Sequence, residues 1–158
     1  MKRILFLCTG NSARSILAEA VLNRLGDGQF EAHSAGSAPK GAVHPDAVDL
    51  LESRGYPTGG LRSKSWDEFA GPGAPPLDFV ITLCDSAAAE ACPLWLGKAT
   101  RVHWGLPDPA AEGSTQVRRA AFADTLQELT RRLHVLSSLP PEKLGHESIR
   151  RCLEELAA

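Results

Sequence analysis

Ile4-Leu5-Phe6-Leu7 is an uninterrupted apolar run close to the start of the chain, the pattern of a strand buried on both faces. A small polar stretch from Thr9 to Arg14 follows, and then Ile16, Leu17, Ala18, Ala20, Val21 and Leu25 recur at helical spacing. Strand, loop and helix are therefore expected in succession. A second extended segment runs from Phe30 to Ala35 and stops at Gly36. His44-Pro45 opens a helix over residues 46–54 that ends at Gly55, with proline at the start and glycine past the end. Ser65 is a plausible cap for a short helix over 66–69, and the Gly/Pro-rich residues 71–76 form a connector. Asp-Phe-Val-Ile-Thr-Leu at 78–83 reads as a third buried strand ending at Cys84, and residues 85–91 have room for two helical turns before Pro93. Residues 101–104 make a fourth strand and 105–109 a tight loop. A long helix from 115 to about 136 carries Val117, Ala121, Leu126, Leu129 and Leu133.

Strands and helices alternate, which predicts an α/β fold: a four-stranded parallel sheet with helices on both faces. Ligands of such sheets sit beyond the carboxyl ends of the strands, where the strand order reverses. The loop after the first strand is such a place. The 158 residues fit one domain, its main body over 1–137. Residues 138–158 form a C-terminal helical extension with Ile149, Leu153 and Leu156 on one face, packed on the same domain. A monomer is expected.

Composition narrows the partners. A formal net charge of -2 gives no reason to expect nucleic acid or an anionic membrane surface, so any bound anion must be captured locally. Met1-Lys2-Arg3 is basic, but the apolar run behind it is too short for a signal-peptide core and no later stretch is long enough to span a bilayer. A cytoplasmic location is expected. In that reducing compartment the four cysteines are candidates for catalysis or redox switching before structural disulfides.

The chemistry concentrates in Cys8-Thr9-Gly10-Asn11-Ser12-Ala13-Arg14-Ser15: a cysteine at the end of a strand, five residues, then arginine at the start of a helix. Backbone N–H groups of a short loop, together with a helix N-terminus, form a cage for a tetrahedral oxyanion. Gly10 permits the inward turn, and Arg14 offers a planar fork to two anion oxygens. The same positive surroundings are expected to lower the Cys8 thiol pKa and supply a nucleophilic thiolate. Ser15 has two readings, a hydrogen bond to that thiolate or an N-cap. Asp108, held between Pro107 and Pro109 on the same edge, is a candidate general acid, although Asp-Pro is also a common turn dipeptide.

Cys8 to Ser15 followed by Ala18-Glu19-Ala20, then Ser34-Ala35-Gly36 and Trp104-Gly105-Leu106-Pro107-Asp108-Pro109, resembles the low-molecular-weight tyrosine phosphatases and the arsenate reductases that share their fold. The likeness extends over about residues 1–135. Phosphate and arsenate are nearly isosteric, and sulfate is a further competing anion, so this loop alone does not separate the two activities. The segment from Leu83 to Pro93, with Cys84 and Cys92, looks like the redox segment of the thioredoxin-coupled arsenate reductases. The resemblance implies a cascade in which Cys8 forms an arseno adduct, Cys84 attacks Cys8, and Cys92 attacks Cys84. A Cys84–Cys92 disulfide is left for thioredoxin, with glutaredoxin or a small thiol as other donors. Eight residues of α-helix span about 12 Å, whereas a disulfide holds its Cα atoms within about 7 Å, so a helix there must unwind on oxidation.

The alternative is a tyrosine phosphatase working through a phosphocysteine. Against a phosphotyrosine-peptide substrate, Asp108-Pro109 is followed by Ala110-Ala111 where the eukaryotic phosphatases carry aromatics. No resident cofactor or metal is expected, since Cys-x7-Cys lacks the short ligand spacing of zinc sites. Some of the similar reductases hold potassium. Asn11, Glu19 and Ser34 match ligands there, but Ser65-Trp66 stands where Ser-Asp is usual, which leaves that site incomplete.

Overall fold

The computed structural model describes residues 1–69, 73–84, 99–110 and 113–157. The helix expected over 85–91, and Cys92 with it, lie outside the described residues. Strands β1 (Lys2–Leu7), β2 (Phe30–Ala35), β3 (Phe79–Thr82) and β4 (Thr100–His103) form one all-parallel sheet in the order β2-β1-β3-β4. Chain order reverses at β1, as the alternation of elements predicted. Leu7 lies opposite Ala35 on one side and Thr82 on the other, which delivers the residues after β1 and β3 to the same edge.

Alternate side chains divide the sheet into two cores. Ile4, Phe6, Phe79, Ile81 and Val102 face the larger one. Helices α1 (Arg14–Leu25), α2 (Pro45–Ser53), α3 (Thr115–Ser137) and α4 (His146–Leu156) contribute Leu17, Leu51, Phe122, Leu133 and Leu153 to it. On the opposite face Leu5, Leu7 and Val80 pack with Phe69 from the 3-10 helix Trp66–Phe69. Helical cover is thus present on both faces, unequally among the described residues.

Local chemistry sets the ends of these elements. His44 caps α2 by accepting the Asp46 N–H at 3.0 Å on its ring nitrogen, Ser114 Oγ caps α3 through Val117 N–H, and Ser65 Oγ accepts Asp67 N–H at 3.1 Å. The extension is tied to the sheet: Trp104, fully buried, donates its indole N–H to Leu153 O at 2.8 Å. No helix of the described residues is long and apolar enough to cross a membrane.

Candidate active site

The loop from Cys8 to Ala13 leaves β1 at the carboxyl edge and runs into α1, whose residues Ser15 to Leu22 are buried. Its shape is imposed from outside. Ala38 N–H donates to Thr9 O at 3.0 Å, Lys40 N–H to Gly10 O at 3.0 Å and His44 N–H to Ser12 O at 2.9 Å. In a trans peptide the carbonyl and the following N–H point oppositely. Pulling those carbonyls outward therefore turns the N–H groups of Gly10 and Ala13 toward the inside of the loop. Gly36 lets the strap approach: a Cβ on it would lie 2.4 Å from Thr9 O and 2.7 Å from Cys8 O, closer than any side chain permits.

Asn11 is the keystone. It adopts φ 43°, a left-handed conformation that asparagine tolerates better than most residues, and is fully buried. Its side-chain amide donates to Ser15 Oγ at 2.8 Å while its Oδ1 accepts Lys64 N–H at 2.8 Å. This corrects the N-cap reading of Ser15. The N-cap position of α1 is Ala13, with no side-chain cap, and the Ser15 hydroxyl is an acceptor for Asn11 inside the first turn.

The cavity so formed, about 250 Å³, is lined by Cys8 to Arg14, Cys84 and Asp108, and also by Ala38, Lys40 and Ala110. Arg14 donates to Leu106 O at 2.8 Å through one terminal nitrogen, which binds the loop to the Asp108 segment. Its Nε is buried and meets no hydrogen-bond partner among the described residues, a donor poised for an oxyanion oxygen. Asp108 is exposed at the rim, and its Oδ1 accepts Ala110 N–H at 2.9 Å. The turn role and the position at the cavity coexist.

Cys8 and Cys84 are both buried and in contact, both free thiols. Thr9 N–H points at Cys84 Sγ from 3.4 Å. The expected depression of the Cys8 pKa is not what this pair produces. The hydrogen bond with Cys84 pushes the Cys8 thiol up, burial adds to it, and Arg14 and the Gly10 N–H pull the other way without winning. Two sulfurs in contact resist carrying two negative charges. The structure thus brings together Cys8, Thr9, Gly10, Asn11, Ser12, Ala13, Arg14, Cys84 and Asp108 around one cavity. Ser15 supports it from behind.

Lys40 and Lys64 are contributors that the motif reading overlooked. Lys40 is exposed, its side chain laid across Gly10, and adds a cation to the rim. Neither lysine falls in a periodic pattern. The one available signal was that Lys64 immediately precedes the departing pair Ser65-Trp66.

With this geometry in view, the comparisons with known proteins are specific. An arsenate reductase of Halalkalibacterium halodurans is 39% identical over 134 residues, covering 84% of this chain and 92% of that protein. A solved structure described as an arsenate reductase in the phosphate binding state superposes with a TM-score of 0.65 at 28% identity, covering 84% of this chain and 97% of the other. A thioredoxin-dependent arsenate reductase of Corynebacterium glutamicum shares the fold at 24% identity, with a TM-score of 0.58 over 85% of this chain and 63% of that one. The family model described as low molecular weight phosphotyrosine protein phosphatase matches residues 3–150, so the chain belongs to that family.

Proposed function

We propose that this chain is an arsenate reductase in which Cys8 attacks arsenic and Cys84 completes the electron transfer. The observation that carries this reading is the second thiol: Cys84 touches Cys8 at the wall of the oxyanion cavity. Hydrolysis of a phosphomonoester needs one thiolate and water, whereas reduction of As(V) to As(III) needs two electrons. A pair of thiols supplies them by ending as a disulfide. The arsenate reductase relatives support the substrate assignment.

In the first step the Cys8 sulfur bonds to arsenic and an As–O bond breaks. The thiol proton, held on Cys8 in the free protein, must end on the departing oxygen, which leaves hydrogen arsenate as water. Asp108 is the rim carboxyl assigned to pass that proton. Arg14 Nε and the inward N–H groups stabilise the charge on the remaining oxygens. In the second step Cys84 sulfur attacks Cys8 sulfur. The S–S bond forms and the S–As electron pair departs with arsenic as arsenite, which takes up the Cys84 proton and further protons from water. Cys92 is assigned to attack Cys84 next, returning Cys8 as a thiol and leaving a Cys84–Cys92 disulfide for thioredoxin. The likeness of residues 83–93 to the redox segment of thioredoxin-coupled arsenate reductases supports that choice of donor.

The test supplies arsenate with thioredoxin, thioredoxin reductase and NADPH, and in parallel an aryl phosphate. Arsenate-dependent NADPH oxidation that disappears in Cys84→Ser, with aryl phosphate hydrolysis slow in both proteins, is the expected outcome. Brisk aryl phosphate turnover with no NADPH consumed on arsenate would assign the phosphatase activity instead.

A further inference from the structure

Behind the oxyanion loop, Asn11, Glu19 and Ser34 occupy three positions that resemble the potassium ligands of some relatives, while Trp66 stands where a fourth, acidic ligand is usual. The donor set does not fit a free cation, because one is already supplied by the chain. The Lys64 side chain is nine-tenths buried, with Nζ 3.6 Å from Glu19 Oε1, 3.5 Å from Ser34 Oγ and 3.1 Å from Arg62 O. An ammonium has three N–H donors and no acceptor, and here it meets three oxygens. Ser34 Oγ donates its own proton to Glu19 Oε1 at 2.7 Å, which leaves the hydroxyl lone pairs to face Lys64.

Charge balance points the same way. Glu19 is 12% exposed at the side chain, and a carboxylate so placed requires a countercharge. Asp beside Glu would hold two negative charges and favour an added cation; Trp beside Glu leaves one, which a single ammonium neutralises. The main chain of Lys64 meanwhile holds Asn11 through the 2.8 Å bond to Oδ1. One residue thus joins the loop keystone to α1 and β2.

We infer that Lys64 is a built-in cation that replaces potassium behind the oxyanion loop and acts as a positioning residue for Asn11. The stability of this protein is therefore independent of potassium, and removal of the Lys64 charge creates a dependence that the native chain lacks.

The experiment exchanges the full chain into choline chloride and replaces choline by KCl at constant ionic strength, following thermal unfolding by circular dichroism. Wild-type protein and Lys64→Arg are expected to keep their Tm within about 1 °C up to about 0.1 M KCl. Lys64→Ala is expected to melt lower in choline and to recover by roughly 3–6 °C in KCl, since a ligand bound only by the folded state raises its Tm. A Lys64→Ala chain that folds only in KCl supports the inference equally. A KCl-dependent rise in wild type or Lys64→Arg overturns it, as does a Lys64→Ala protein, folded or not, that is indifferent to KCl. No arsenate enters this measurement, so its failure leaves the proposed reaction standing, and failure of the reaction leaves Lys64 as argued.

Discussion

The floor and the rim of the oxyanion cavity are built differently. On the floor, Asn11 and Ser34 are fully buried and Glu19 nearly so, and each is held by at least one close polar contact that leads to Lys64 or Ser15. On the rim, Asp108 and Lys40 are exposed, and among the described residues the Asp108 carboxylate is held by the Ala110 N–H alone. A floor that must present fixed donors to a developing charge gains from having no alternative conformation. A rim that must pass a proton and let an anion enter gains from reach. Substitutions on the two sides should therefore fail in different ways: floor variants lose stability along with activity, rim variants lose activity alone.

The largest expected effect falls on the nucleophile. Cys8→Ser is expected to lower arsenate turnover by about 10⁴-fold or more, since a hydroxyl at this position can form neither the arseno-thiol adduct nor the disulfide, with Tm little changed. Next is the rim acid: Asp108→Asn is expected to cost about 10²–10³-fold in kcat while moving Tm by no more than about 1 °C. A stability loss in that variant equal to a floor variant's would break the contrast. On the floor, Asn11→Ala removes one buried and one partly buried hydrogen bond and places alanine at positive φ. A cost of about 2–3 kcal/mol follows, or a Tm about 5–10 °C lower in thermal melts.

The smallest effect is on pH dependence. A thiol whose folded pKa lies above its ordinary value of 9.0 is protonated in both states below pH 9 and contributes fully there. Above pH 9 the unfolded thiol ionises and the folded one does not, so stability falls as pH rises. Cys84→Ala removes the main cause. The urea midpoint between pH 8 and pH 10 should decline less in that variant, and alkylation of Cys8 by iodoacetamide should set in at lower pH.

How far the sequence led depended on whether a feature was local. The four strands, the helix opened at His44-Pro45 and the cap at Ser65 follow from periodicity and neighbouring residues. The oxyanion loop, too, is contiguous, so its parts were visible together. The N-cap reading of Ser15 failed because its partner Asn11 sits four residues earlier inside a left-handed turn, which no spacing rule reveals. The direction of the Cys8 shift was missed because it depends on Cys84, a contact spanning most of the sheet sequence. Lys64 reaches Ser34 across thirty residues from a segment with neither strand nor helix periodicity, so only packing could place it.

The most direct test of the account is a single turnover with one equivalent of arsenate and no external reductant, quenched in acid and read by intact-protein and peptide mass spectrometry. The account predicts one arsenite released per chain and a protein lighter by about 2 Da, with one disulfide that includes Cys84. A protein that keeps all four cysteines as thiols, with the arsenate recovered unreduced, would contradict it.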